Sequence, residues 1–103
     1  MTTSSHLDDH TVITRAERVL SRHAGDETVL LNMADEQYFG LSRVGSSFWV
    51  LTEAQAGVTF GAAIQALEQQ YDVSAQVLRA ELAALIDQLV AGGLVITQVP
   101  HAP

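Results

Sequence analysis

Residues 32–45 read NMADEQYFGLSRVG. Two apolar runs flank a short acidic turn, and the second run sets Tyr38 beside Phe39. Successive side chains of a strand leave on opposite faces, so one core cannot take both. Upstream, ETVLLNMA (27–34) is the clearest strand of the chain. Val29, Leu31 and Met33 share one of its faces; Thr28, Leu30 and Asn32 share the other. ADEQ (34–37) reads as a four-residue hairpin loop and YFGLS (38–42) as the return strand. On that strand Phe39 and Leu41 point one way, Tyr38 and Gly40 the other. A hairpin alone buries little, so a third strand or a helical layer must cover it. The third strand is expected at 18–23, before a turn at Gly25-Asp26.

After Ser42, a suitable N-cap, the apolar period changes from two to 3.6. Val44, Phe48 and Leu51 form a stripe flanked by Trp49, and EAQAG (53–57) breaks it. Thr59 can cap a second helix lined by Phe60, Ile64, Leu67 and Tyr71. Ser74 can cap a third, running to about Ala91, with Leu78, Leu82, Leu85 and Leu89 as its core stripe. Gly92-Gly93 stops it, and LVITQV (94–99) is an extended tail, at most a short strand. The expected fold class is α+β and winged-helix-like: an N-terminal three-stranded antiparallel sheet followed by three helices. Residues 1–10 are expected as a mobile N-terminal segment and 11–99 as one domain, which suits a chain of 103 residues.

Composition narrows the function. The net charge is −7, Lys is absent, and four of the five Arg lie in the first 43 residues. A nucleic-acid binder needs a basic patch to neutralise phosphates. The third helix offers only Arg79 against Glu81 and Asp87, so a winged-helix regulator remains an alternative on architecture alone. Cys is absent, which removes thiol chemistry and suits a cytoplasmic protein. No apolar run approaches the ~20 residues of a membrane span, and no secretory signal opens the chain. His6, His10, His23 and His101 are scattered. His6 and His10 have i, i+4 spacing but no third ligand, so no metal site is expected. The carboxylates come as adjacent pairs in turns, and neither a GxGxxG nor a P-loop pattern occurs. The expectation is a protein that is not an enzyme and holds no cofactor.

Peptide or protein binding remains. The last strand of a three-stranded meander has a free edge, normally blocked by Lys, Pro or a bulge. YFGLS has none of these, and Gly40 has no side chain to obstruct an approaching backbone. If the third helix lies alongside, strand and helix form a groove suited to β-strand addition. The competing readings are a covered sheet, in which Tyr38 and Phe39 merely pack on both faces, and a dimerisation edge.

An ordered set of residues resembles the PqqD-like family, also called RiPP recognition elements. It comprises Val29 to Leu31 (VLL), Tyr38 and Leu41 (Y-x-x-L), and Gly45 and Trp49 (G-x-x-x-W). Leu82, Leu85 and Leu89, with Gly93-Leu94, complete it. The likeness covers about residues 19 to 96. Ser42 stands where many relatives have Asn; both cap helices. The resemblance implies binding of the leader segment of a ribosomally synthesised precursor peptide, added as a strand beside the third β-strand and flanked by the last helix. The Tyr-x-x-Leu and the helical Trp look most like the standalone lasso-peptide version, whose partners are a leader peptidase and a lasso cyclase. A peptide chaperone for pyrroloquinoline quinone biosynthesis is the alternative. On this reading the leader runs along Gln37, Tyr38, Phe39, Gly40, Leu41 and Ser42, with Phe39 and Leu41 inward, joining the Val29, Leu31, Met33 layer if the register pairs those faces. Leu82 and one flank of the third helix, Arg79, Ala83, Ile86 and Val90, form the other wall. Arg79 would meet an acidic leader residue. The opposite flank, Val77, Glu81, Ala84 and Gln88, is the alternative wall.

Overall fold

The computed structural model describes residues 7–54 and 57–99. Strand β1 (Val12–Arg15) precedes β2 (Val19–Ala24), β3 (Glu27–Asn32) and β4 (Gln37–Leu41). Helix α1 (Arg43–Ala54), a two-residue strand β5 (Val58–Thr59), α2 (Phe60–Gln70), α3 (Ala75–Ala91) and β6 (Val95–Gln98) follow. The meander β2-β3-β4 and the three helices stand where the sequence places them, in an α+β fold. Thr59 caps α2 by accepting from the Ala62 N–H, and Ser74 caps α3 by accepting from the Val77 N–H. At the far end of α3, Gly93 takes φ +73°, where a side chain would be strained. The Leu94 N–H there donates back to the Leu89 carbonyl at 2.8 Å.

A second sheet, in the order β5-β1-β6, corrects the expected topology. β1 pairs with β6, Val12 opposite Gln98 and Arg15 opposite Val95. Its apolar content is one pair, Val12-Ile13, and only Ile13 is fully buried. Its partners lie 80 to 86 positions away in β6 and 45 to 47 away in β5, so nothing local announces a strand. Arg15 then ties this sheet to α1. Its guanidinium lies 4.2 Å from the Trp49 ring centroid. It donates to Thr52 Oγ1 and to the Trp49 carbonyl, both at 2.8 Å. Burial pushes the Arg15 pKa below its usual value, with Glu53 opposing the shift.

The hairpin register gives a second correction. Leu30 pairs with Phe39 and Thr28 with Leu41. The connecting residues are 33–36, an even number, so each even-numbered residue of β3 faces an odd-numbered one of β4. The buried layer is therefore Thr28, Leu30 and Asn32 with Phe39 and Leu41. Val29 and Met33, expected inward with Leu31, are exposed, and Leu31 is only partly covered. The polar members of the inner face are satisfied. Thr28 Oγ1 and His23 Nδ1 share a hydrogen bond at 3.0 Å. Asn32 Nδ2 donates to the Gly92 carbonyl, and its Oδ1 accepts from the Ala34 N–H.

The core joins these elements through Ile13, Leu30, Phe48, Trp49, Phe60, Leu67, Leu78, Leu82, Ile86 and Leu89. Ile86 is 0% exposed and replaces Leu85 in the α3 stripe. Leu85 is half-buried at the margin. Residues 1–6 of the expected mobile segment lie outside the described residues. Residues 7–10 are held: Leu7 packs on the core, the Asp9 carbonyl accepts from the Gly61 N–H, and the Asp9 carboxylate pairs with Arg79.

Candidate functional site

β4 is an edge strand: its inner neighbour is β3, and among the described residues no strand lies on its other side. In a central antiparallel strand, alternate residues aim both backbone groups to alternate sides. The Met33 N–H reaches back to the Arg18 carbonyl at the β2 side, while the Asn32 carbonyl accepts from the Glu36 N–H on the β4 side. Thr28, Leu30 and Asn32 therefore face β4, and their partners Leu41, Phe39 and Gln37 face back. That leaves the N–H and C=O groups of Tyr38 and Gly40 pointing outward. On the outer face of the sheet a Cβ built on Gly40 meets nothing within 4 Å.

A groove of about 430 Å³ separates β4 from the C-terminal end of α3. Gln37, Tyr38 and Phe39 line one side; Gln88, Ala91, Gly92 and Leu94 line the other. Among the described residues Asp35 is the one charged side chain along it. Phe39 is half-buried between groove and core, and Leu41 is closed off at 2% exposure. Tyr38 stands at the lip, 73% exposed, on the outer face of the sheet. The Asn32 bond to Gly92 spans the floor and fixes the end of α3 against β3. Sequence offers little sign of that brace beyond a polar residue in an apolar strand.

The helix wall is the flank held as the alternative. Gln88 lines the groove, and Leu85 comes within 3.2 Å of where a Gly45 Cβ would stand, beside Leu41. Arg79 is nine residues from Gln88, about 180° around the helix at 100° per residue. It pairs instead with Asp9, and its guanidinium stands 5.5 Å from the Phe60 ring centroid. Ala83 lies on that same remote side. Leu82 and Ile86 are sealed in the core at 1% and 0% exposure, so neither walls an open groove. Of the predicted contact residues, the structure brings Gln37, Tyr38 and Phe39 to the groove or its lip, and Gly40 lies further along the same free edge. Ser42 is exposed just past β4, where its carbonyl accepts from the Ser46 N–H in the first turn of α1.

A free edge beside a helix is the geometry of peptide capture by strand addition. Residues 27–95 match the family of coenzyme PQQ synthesis protein D (PqqD). The chain belongs to the PqqD family. The family match spans β3 to the start of β6 and so contains both walls of the groove. Among solved structures this PqqD-family chain is similar to TbiB1 in complex with the TbiA(beta) leader peptide. The two are 27% identical with a TM-score of 0.72, over 87% of this chain and 99% of that one. No curated protein matches the chain. No described helix is long and apolar enough to cross a membrane. No group of three potential ligands for a metal ion occurs among the described residues; His6 and His101 lie outside them.

Proposed function

We propose that this protein binds the leader segment of a ribosomally synthesised precursor peptide and presents it to the enzymes that mature it. The observation that carries the reading is the outward pair of Tyr38 and Gly40 on an unblocked edge, beside the groove walled by Phe39 and Gln88. The leader adds as a strand to β4, and its side chains enter the groove at alternate positions. The likeness to a protein seen with a leader peptide supports a leader peptide as the ligand. The protein contributes binding and no catalysis. Its partners on this reading are a leader peptidase and a lasso cyclase in the cytoplasm. The family match favours a second reading, a peptide carrier in coenzyme PQQ synthesis, which differs in the peptide carried.

Titration with the leader of a candidate lasso-peptide precursor tests the proposal. Calorimetry should give one site, with a Kd from tens of nanomolar to tens of micromolar. No saturable heat with that leader, alongside saturable binding to a PQQ precursor, would favour the second reading. Binding to duplex DNA at low salt, with neither peptide bound, would overturn both.

A further inference from the structure

Two sources of negative potential meet at one end of the groove between β4 and α3. The first is Asp35. Its Oδ1 accepts from the Gln37 N–H at 3.1 Å, which holds the carboxylate beside the first residue of β4. A carboxylate has further lone pairs to offer a donor. The second is the end of α3. The carbonyl end of a helix carries about half an elementary negative charge, usually complemented by Lys, Arg or His in the last turn. The 17-residue α3 has no basic residue there, and its nearest charged side chain, Asp87, is itself an acid. Ala91 and Gly92 bring that helix end to the groove.

Nothing of opposite charge within the chain answers this end. None of the five Arg lines the groove. Arg15, Arg43 and Arg79 pair with Glu53, Asp26 and Asp9. Arg22 lies in β2, just after Arg18, and β3 separates that strand from β4.

Strand register says which leader residue arrives there. Directly opposed residues of paired strands set their side chains on the same face. Gln37 and Phe39 share the inner face of β4. The leader residues opposite them therefore enter the groove two positions apart, whichever way the leader runs. The residue opposite Phe39 meets the apolar part of the wall, Phe39 and Leu94. The residue opposite Gln37 comes up against Asp35, the Gln88 amide and the end of α3. Ammonium and guanidinium groups are donors only, so they match a site built of acceptors; a carboxylate would be repelled.

We propose that the groove selects a leader with Lys or Arg two positions from its apolar anchor, the cation being held between Asp35 and the carbonyl end of α3. The inference rests on the leader-binding reading and adds a chemical class of side chain to it. Asp35 is exposed, so salt screens the pair, and its charge serves selection among peptides more than raw affinity.

The test is fluorescence polarisation with a labelled leader from a candidate lasso-peptide precursor, carrying Lys or Glu at each position in turn. The full chain is compared with its Asp35→Asn and Asp35→Lys variants. A phage-displayed library of random peptides is selected on the wild-type protein in parallel. At one position, two from an apolar residue that binding requires, the Lys form should bind wild type at least tenfold more tightly than the Glu form in about 50 mM salt. The ratio should shrink in about 500 mM salt. Asp35→Asn keeps an acceptor for the Gln37 N–H and removes the charge; it should lower the ratio at least threefold. Asp35→Lys should bring it to one or below. Should Asp35→Lys fail to fold by circular dichroism, Asp35→Asn carries the test. A ratio below threefold at every position, a preference at another spacing from the anchor, or a ratio unchanged in Asp35→Asn overturns the proposal and leaves leader binding standing. A leader that binds in no form, beside selected Lys- or Arg-bearing peptides that Asp35→Asn weakens, upholds the basic-residue subsite and sinks the leader reading. Binding of neither leader nor library peptides overturns both.

Discussion

Replacing Gly40 with proline isolates the outward N–H of the edge strand. The substitution removes one donor, about 1 kcal/mol net. It also puts the ring Cδ where an incoming carbonyl must approach to about 2.9 Å. The added strand cannot then hold its ~4.8 Å spacing at that point, and the bonds on either side of it lengthen. Loss of about 1.4 kcal/mol or more follows, which is at least tenfold in leader Kd. The fold should survive, because Leu41, Phe39 and Gln37 hold the ladder to β3 and the lost donor faces away from it. The φ of proline, near −65° against about −140° for an antiparallel strand, adds a local cost that an edge position tolerates better than a central one. Gly40→Ala is the matched control. Its Cβ meets nothing within 4 Å, its N–H remains, and leader affinity should stay within about threefold, since less than ~0.7 kcal/mol is at stake. Circular dichroism and calorimetry on the two variants provide the assay. A folded Gly40→Pro protein that binds leader normally would refute strand addition at this position. An unfolded one would show that the Gly40 N–H faces β3 and that the assigned orientation is wrong.

Arg79→Ala should leave leader affinity within about twofold, because Arg79 lies half a turn from the groove wall and its partner is Asp9. A tenfold loss by calorimetry would return the site to the other flank of α3. Asn32→Ala removes the brace between β3 and the end of α3 and leaves the Gly92 carbonyl without that donor. We expect a loss of about 1–3 kcal/mol in urea unfolding together with weaker leader binding; intact affinity would show that the brace does not set the groove. Gly93→Ala forces a side chain into φ +73° and brings its Cβ to 3.0 Å from Asn32 Nδ2. A cost of about 1–2 kcal/mol, or roughly 4–8 °C in Tm for each kcal/mol, should follow; an unchanged Tm would contradict this account of the α3 stop.

Local signals located most of the chain. Turn residues, N-caps and the change of period at Ser42 set the hairpin and all three helices, because each rests on contacts within a few positions. The ordered set from Val29 to Leu94 carried the family on the same basis. The unblocked edge at Tyr38 and Gly40 was legible too, since it depends on which residues are absent from one strand. Three features were not. β1 binds a partner at the opposite end of the chain, and its short apolar pair has no local signature. The inner face of β3 is set by the even length of the loop and by polar partners such as Gly92 and His23, so pattern alone favoured the wrong set. Which flank of α3 walls the groove depends on how the helix is rolled against α1 and β4. The sequence by itself determined the elements, the family likeness and the free edge. Only the tertiary structure decided the second sheet, the outward apolar face and the Gln88 wall, because each depends on residues that meet only after the chain has closed on itself.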